Sequence, residues 1–125
     1  MRLFFAIIII ALNSALGFCQ EAEFSIDKSV HKFPATKQGE MLSHEYMITN
    51  SGDELLIISD YKVSCTCTKV ALPENPIEPG ATFALQVTFD TKEKYYYQDR
   101  TIILVANTKK KMHKIRFKVK VVPNE

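Results

Sequence analysis

The chain has 125 residues, 46% of them hydrophobic and 24% charged, with 16 Lys and Arg against 14 Asp and Glu. That mix excludes a collagen-like, low-complexity or wholly disordered chain, and the length suits one domain, or one domain plus a processed segment. A formal charge of +2 exerts no global pull toward nucleic acid or membrane, and three cysteines are too few for a disulfide scaffold.

Residues 1–19 read as a signal peptide. Arg2 supplies a positive start, Leu3 to Leu12 is an unbroken apolar run, and Asn13, Ser14, Ala15 and Gly17 bring polar and small residues after it. Ten apolar residues are too short for a bilayer core that needs about 20. Cleavage after Gly17 and after Cys19 both satisfy the small-residue pattern; we take the second. A lipid anchor at Cys19 is disfavoured, because bulky Phe18 precedes the cysteine where a small residue is required. The expected product is an exported domain of residues 20–125, in the periplasm or on the cell surface, with no integral membrane segment after cleavage.

The remaining chain carries a period of two rather than 3.6, so it reads as strands. Phe24 to Val30 is a weak first strand. His44, Tyr46 and Ile48 then alternate with Ser43, Glu45 and Met47. Asn50-Ser51-Gly52-Asp53 forms a turn in which Asn and Gly can take positive φ. Leu55 to Ile58 is the next strand.

Ser64-Cys65-Thr66-Cys67-Thr68 follows. Cysteines two apart on an extended strand share a face, with Cα atoms about 6.6 Å apart. A disulfide would need a kink at Thr66, and a β-branched residue resists one. Three readings stand: two packed small side chains, a redox-active disulfide, or a two-thiolate clamp for a soft ion such as Cu(I). A closed zinc site would need four ligands, and the chain offers no second cysteine pair. No metal or other cofactor is assigned.

Pro73 to Gly80 is too proline-rich for a sheet interior and reads as a connector ending in a Pro-Gly turn. Phe83, Leu85, Val87 and Phe89 alternate with Ala84, Gln86 and Thr88. Tyr95-Tyr96-Tyr97 reads as a loop and a candidate contact surface; the alternative is rings packed over the end of the domain. Thr101 to Ala106 is a buried strand and Asn107 to Lys111 a hairpin loop. In the last strand Ile115, Phe117, Val119 and Val121 alternate with Lys114, Arg116, Lys118 and Lys120. Those four cations are a candidate patch for an anionic surface such as phospholipid or lipopolysaccharide. The plainer reading is a solvated face whose lysines block edge-to-edge pairing. His31, His44 and His113 are scattered and suggest no site.

About seven short strands without a helix make an all-β fold, an immunoglobulin-like β-sandwich. Four motifs in order resemble a bacterial exported family. They are Asn50-Ser51-Gly52, then Leu56-Ile57-Ile58 with Tyr61 and Ser64-Cys65-Thr66-Cys67-Thr68, then Pro76-Ile77-Glu78-Pro79-Gly80, then Val87-Thr88-Phe89-Asp90-Thr91. The family is the domain of unknown function 1573 family, common in Bacteroidetes, whose motif reads Ser-Cys-Gly-Cys-Thr. The resemblance runs from about Phe24 to Val122. It implies a sandwich similar to PapD-like and ASH, MSP and Hydin domains, export, and a cysteine pair at Cys65 and Cys67; it implies no activity. Two departures are visible: Thr66 replaces the central Gly, and Tyr95-Tyr96-Tyr97 fills a loop where the family usually has a Gly.

The sequence carries no G-x-S-x-G, no H-E-x-x-H and no phosphate-binding glycine loop. We therefore expect a non-enzymatic binding module that contacts an envelope or cell-surface protein and not nucleic acid. The alternative is a Cu(I)-binding or thiol-redox protein acting through Cys65 and Cys67.

Overall fold

The computed structural model describes residues 20–124; the expected signal peptide lies outside the described residues. The strands are β1 (Phe24–Ile26), β2 (Val30–Lys32), β3 (Thr36–Lys37), β4 (Met41–Asn50), β5 (Ile58–Lys62), β6 (Thr68–Ala71), β7 (Thr82–Asp90), β8 (Tyr96–Ala106) and β9 (Met112–Val122). No helix is present among the described residues, and none is long and apolar enough to cross a membrane. One sheet runs β1-β4-β7-β6. The other runs β2-β9-β8-β5, with β3 continuing along β9. The immunoglobulin-like sandwich is as expected, with nine strands among the described residues in place of about seven.

The alternating residues make the core. Tyr46, Ile48, Leu85, Val87 and Phe89 face inward from the first sheet; Ile102, Leu104, Ile115, Phe117, Val119 and Val121 face them from the second. Period-two patterning fixes these faces, because a one-residue slip in register would turn every buried side chain toward water. Among the described residues the buried apolar side chains run from Ala22 to Val121. Tyr46 also ties the layers by a polar bond: its hydroxyl donates to the Arg116 carbonyl at 2.7 Å. Burial pushes that hydroxyl's pKa well up, so it remains a donor.

Three local expectations are corrected. The first strand is split. β1 pairs antiparallel with β4, the chain bends at Asp27 and Ser29, and β2 pairs parallel with β9 in the opposite sheet. Leu55 to Ile58 is only partly strand. Leu56 makes an isolated bridge to Ile77, while the Asn107 side chain accepts from the Ile57 N–H at 2.7 Å and donates to the Leu55 carbonyl at 2.9 Å. Side-chain hydrogen bonds there replace a sheet ladder, and the regular strand begins at Ile58. Tyr96 and Tyr97 are not loop residues but open β8.

The turn after β4 works differently from the expected one. Neither Asn50 nor Gly52 has a positive φ. Asn50 is fully buried. Its amide donates to the carbonyls of Glu54 (2.7 Å) and Ile77 (2.9 Å), and its Oδ1 accepts from the N–H of Gly52 (3.0 Å) and Glu23 (3.4 Å). Gly52 is needed for space: a Cβ there would lie 2.1 Å from the Glu21 carbonyl oxygen. The Pro-Gly turn is as expected, with Gly80 at φ 80°.

Candidate functional site

Cys65 and Cys67 lie on the segment that crosses from β5 in one sheet to β6 in the other. They are joined by a disulfide, with S–S 2.06 Å and Cα atoms 5.2 Å apart. The segment is a turn, not an extended strand, which brings the Cα atoms closer than the extended spacing. The Thr68 N–H donates to the Cys65 carbonyl at 3.2 Å, and the Cys67 N–H lies 3.1 Å from the Cys65 sulfur. Thr66 is exposed at the tip and has no positive φ, so a β-branched residue fits without strain. The obstacle expected from replacing Gly therefore does not arise. Both cysteines are half-buried, and the Cys67 carbonyl accepts from the Asp90 N–H at 2.9 Å, which fastens the turn to β7. In the bonded state neither sulfur is a thiolate. Among the described residues no three His, Cys, Asp or Glu side chains gather to hold a metal ion.

Tyr95, Tyr96 and Tyr97 are 55%, 67% and 79% exposed. They do not cap the sandwich. Tyr96 has φ 61°, in the left-handed region that costs a non-glycine residue about 1–2 kcal/mol. Its exposed ring recovers little of that by packing. The strand they open is paired on one side only at this end: β9 runs along it from Tyr96 to Val105, whereas β5 reaches only from Ala106 to Ile103. Among the described residues the edge from Tyr96 to Ile102 thus has no strand beside it.

The basic residues fall where the alternation puts them. Lys114, Arg116 and Lys120 are exposed and Lys118 is half-buried, all on the outer face of β9. As in the plainer reading they face solvent; β9 lies between β2 and β8, but β2 and β3 pair with it only at Arg116–Lys118 and Val121–Val122. Tertiary structure adds residues the last strand could not reveal. Lys32 lies beside Lys118 across the parallel β2–β9 pair, and Tyr97 lies opposite Lys120, whose ammonium is 5.7 Å from the ring centroid. Asp99 enters the patch from β8 and makes a bidentate pair with Arg116, at 2.9 and 2.5 Å. The guanidinium holds the Asp99 carboxyl below its ordinary range, and Asp99 in turn raises Arg116.

One cluster escaped sequence reasoning. His31 on β2 and His44 on β4 stack with centroids 3.5 Å apart, with Phe33 and Tyr46 edge-on around them. The two histidines sit thirteen positions apart on opposite sheets, and no local pattern links them.

With this geometry in view, the comparisons with known proteins are specific on family and silent on activity. The model of the family described as Protein of unknown function (DUF1573) matches residues 24–121. The chain belongs to that family. No curated protein matches it by sequence. Among solved structures, it is similar to a protein of unknown function from Porphyromonas gingivalis W83, with TM-score 0.71 and 17% identity over 86% of this chain. This family member spans only 50% of that protein's length. It is also similar to an ASH/PapD-like domain of human CEP192, with TM-score 0.60 and 14% identity, covering 89% of this chain and 92% of that one. At these identities the likeness shows the fold, and the PapD-like architecture agrees with the two-sheet topology.

Proposed function

We propose that this family member is an exported, non-enzymatic binding module of the cell envelope. It contacts an envelope or cell-surface protein through Tyr95, Tyr96 and the neighbouring edge of β8. The observation that carries the reading is Tyr96: a large ring held in a left-handed backbone conformation at an exposed position beside an unpaired strand edge. Strain that packing does not repay is a mark of functional positions. An unpaired edge offers main-chain donors and acceptors to an incoming segment, and exposed tyrosines add contact area at low entropic cost. The charged start and apolar run of residues 1–19 support export.

A photo-crosslinking residue at position 96, expressed in the native cell, tests the reading. A discrete protein adduct that disappears when Tyr95 is also changed to Ala supports it. Absence of any protein adduct from position 96, with the domain exported and folded, rejects it.

The disulfide favours a second reading, thiol–disulfide exchange. A dithiol partner would reduce the Cys65–Cys67 bond to two thiols and itself become a disulfide, with two electrons and two protons passing to this chain. A Cu(I) clamp would require that reduced state first. Thiol titration against a graded dithiol buffer checks it: a bond that resists reduction until the domain unfolds removes both the redox and the Cu(I) roles.

A further inference from the structure

The outer face of the β2-β9-β8-β5 sheet carries a concentration of cations that core packing does not explain. Lys114, Arg116, Lys118 and Lys120 project from its interior strand and Lys32 joins them from β2. Asp99 is engaged by Arg116. At the far edge Asp60 and Lys62 on β5 offset each other in charge. Among the described residues no carboxylate lies within ion-pair distance of Lys32, Lys118 or Lys120; Lys118 feels the charge of Asp99, its cross-strand neighbour, which Arg116 already engages, and Lys32 and Lys120 have no carboxylate directly opposite them. The cations from Lys114 to Lys120 stretch over six residue steps, about 20 Å of strand.

We propose that this face docks on a bilayer rich in anionic phospholipid, with Lys32, Lys118 and Lys120 against the headgroup phosphates and Tyr97 at the water–lipid boundary. A flat sheet with spread cations matches a plane of phosphates better than it matches a discrete small ligand. A notch in the patch, bounded by Lys32, Phe33, Tyr97, Lys118, Val119 and Lys120, holds about 290 Å³. That is at or below the low end of small-molecule sites, which run from about 300 Å³ upward. Pro34 and Ala35 separate β2 from β3 next to it. Tyr97 is 79% exposed and stands on the same face as Lys120. A tyrosine ring beside lysines is the side-chain pair that settles at the interface, the ring toward acyl chains and the ammonium toward phosphate. Basic residues near an anionic leaflet add their attractions roughly independently.

The proposal takes from the preceding section only the exported compartment; the partner-binding edge at Tyr96 can fail while this face holds. The test is flotation of the purified residues 20–125 with phosphatidylcholine vesicles, with and without phosphatidylglycerol. We expect binding only to the anionic vesicles, released by high salt. The double variant K118E/K120E should weaken it by at least about thirtyfold. The charge-matched control K69E/K92E, on β6 and a loop, should retain most of it, with unchanged melting in both. Y97S should weaken binding without altering its salt dependence, and D99N should strengthen it by freeing Arg116. Failure of wild type to float overturns the proposal. So does an equal loss in K118E/K120E and K69E/K92E, which would mean net charge without a face. Binding of a DNA duplex or an acidic peptide with no binding to vesicles would also overturn it and assign the face to a different anion.

Discussion

The imidazole rings of His31 and His44 lie face to face, 3.5 Å apart and 8° from parallel, joining an edge strand of one sheet to a central strand of the other. Two protonated rings cannot hold that contact. Burial lowers the pKa of His31 below the usual 6.5, and Lys28 adds to the effect. Burial likewise lowers His44, helped by His31 and opposed by Glu45. His113, stacked on Phe24, is lowered by burial and then by Lys110. A histidine whose folded pKa is depressed stabilises the fold fully above its unfolded value. It loses that contribution as the pH falls, because the unfolded chain then binds protons first. Melting temperature should therefore hold near neutrality and decline as pH drops below about 6.5. His44→Phe should flatten part of that decline. A melting temperature equal at both ends of this range would contradict the account.

Asn50 completes four hydrogen bonds in a fully buried position between the chain entry, the turn and the proline-rich connector. Asn50→Ala leaves two N–H groups and two carbonyls without these partners. It should cost about 3 kcal/mol in denaturant unfolding. Asn50→Asp should cost at least as much at neutral pH, since a carboxylate would face the Glu54 and Ile77 carbonyls. Part of that loss should return in acid, where the protonated group can donate again.

The Cys65–Cys67 bond closes a very short loop, so it removes little entropy from the unfolded chain. The chain-entropy relation gives about 1–2 kcal/mol for such a loop. A Cys65→Ser, Cys67→Ser double variant should stay folded, with a melting temperature only modestly lowered. Complete unfolding of that variant would instead make the bond a structural staple and weaken the redox reading.

Tyr96→Gly should raise stability by about 0.5–1 kcal/mol, the relief of the left-handed backbone less the extra chain entropy of glycine. Urea unfolding measures it. The same substitution should diminish crosslinking from a probe placed at Tyr95. Loss of stability instead would mean that the Tyr96 ring packs against the domain.

The legible and illegible parts of this protein divide along range. Alternation through Ile115, Phe117, Val119 and Val121, and through Leu85, Val87 and Phe89, announced both strands and their inward faces, because the signal repeats every second residue. The Pro79-Gly80 turn was equally plain. Leu55 to Ile58 misled, since its alternating burial comes from the Ile77 bridge and the Asn107 side chain rather than a continuous ladder. At Thr66 the extended geometry left the disulfide at the limit of reach and dependent on a kink; the turn closed by Thr68 and Cys65 supplies that kink and brings the Cα atoms to 5.2 Å.

By itself the sequence determined an all-β sandwich, the inward faces of its long strands, a signal-like start and a cysteine pair two residues apart. These follow from local spacing, which survives without knowledge of partners. Only the tertiary structure decided that the first strand divides between two sheets and that β9 lies inside its sheet. It alone brought Lys32 and Tyr97 to the basic face, engaged Asp99 with Arg116, and stacked His31 on His44. Each of those depends on which distant strands pair and in what register, a choice made by burying all inward faces at once.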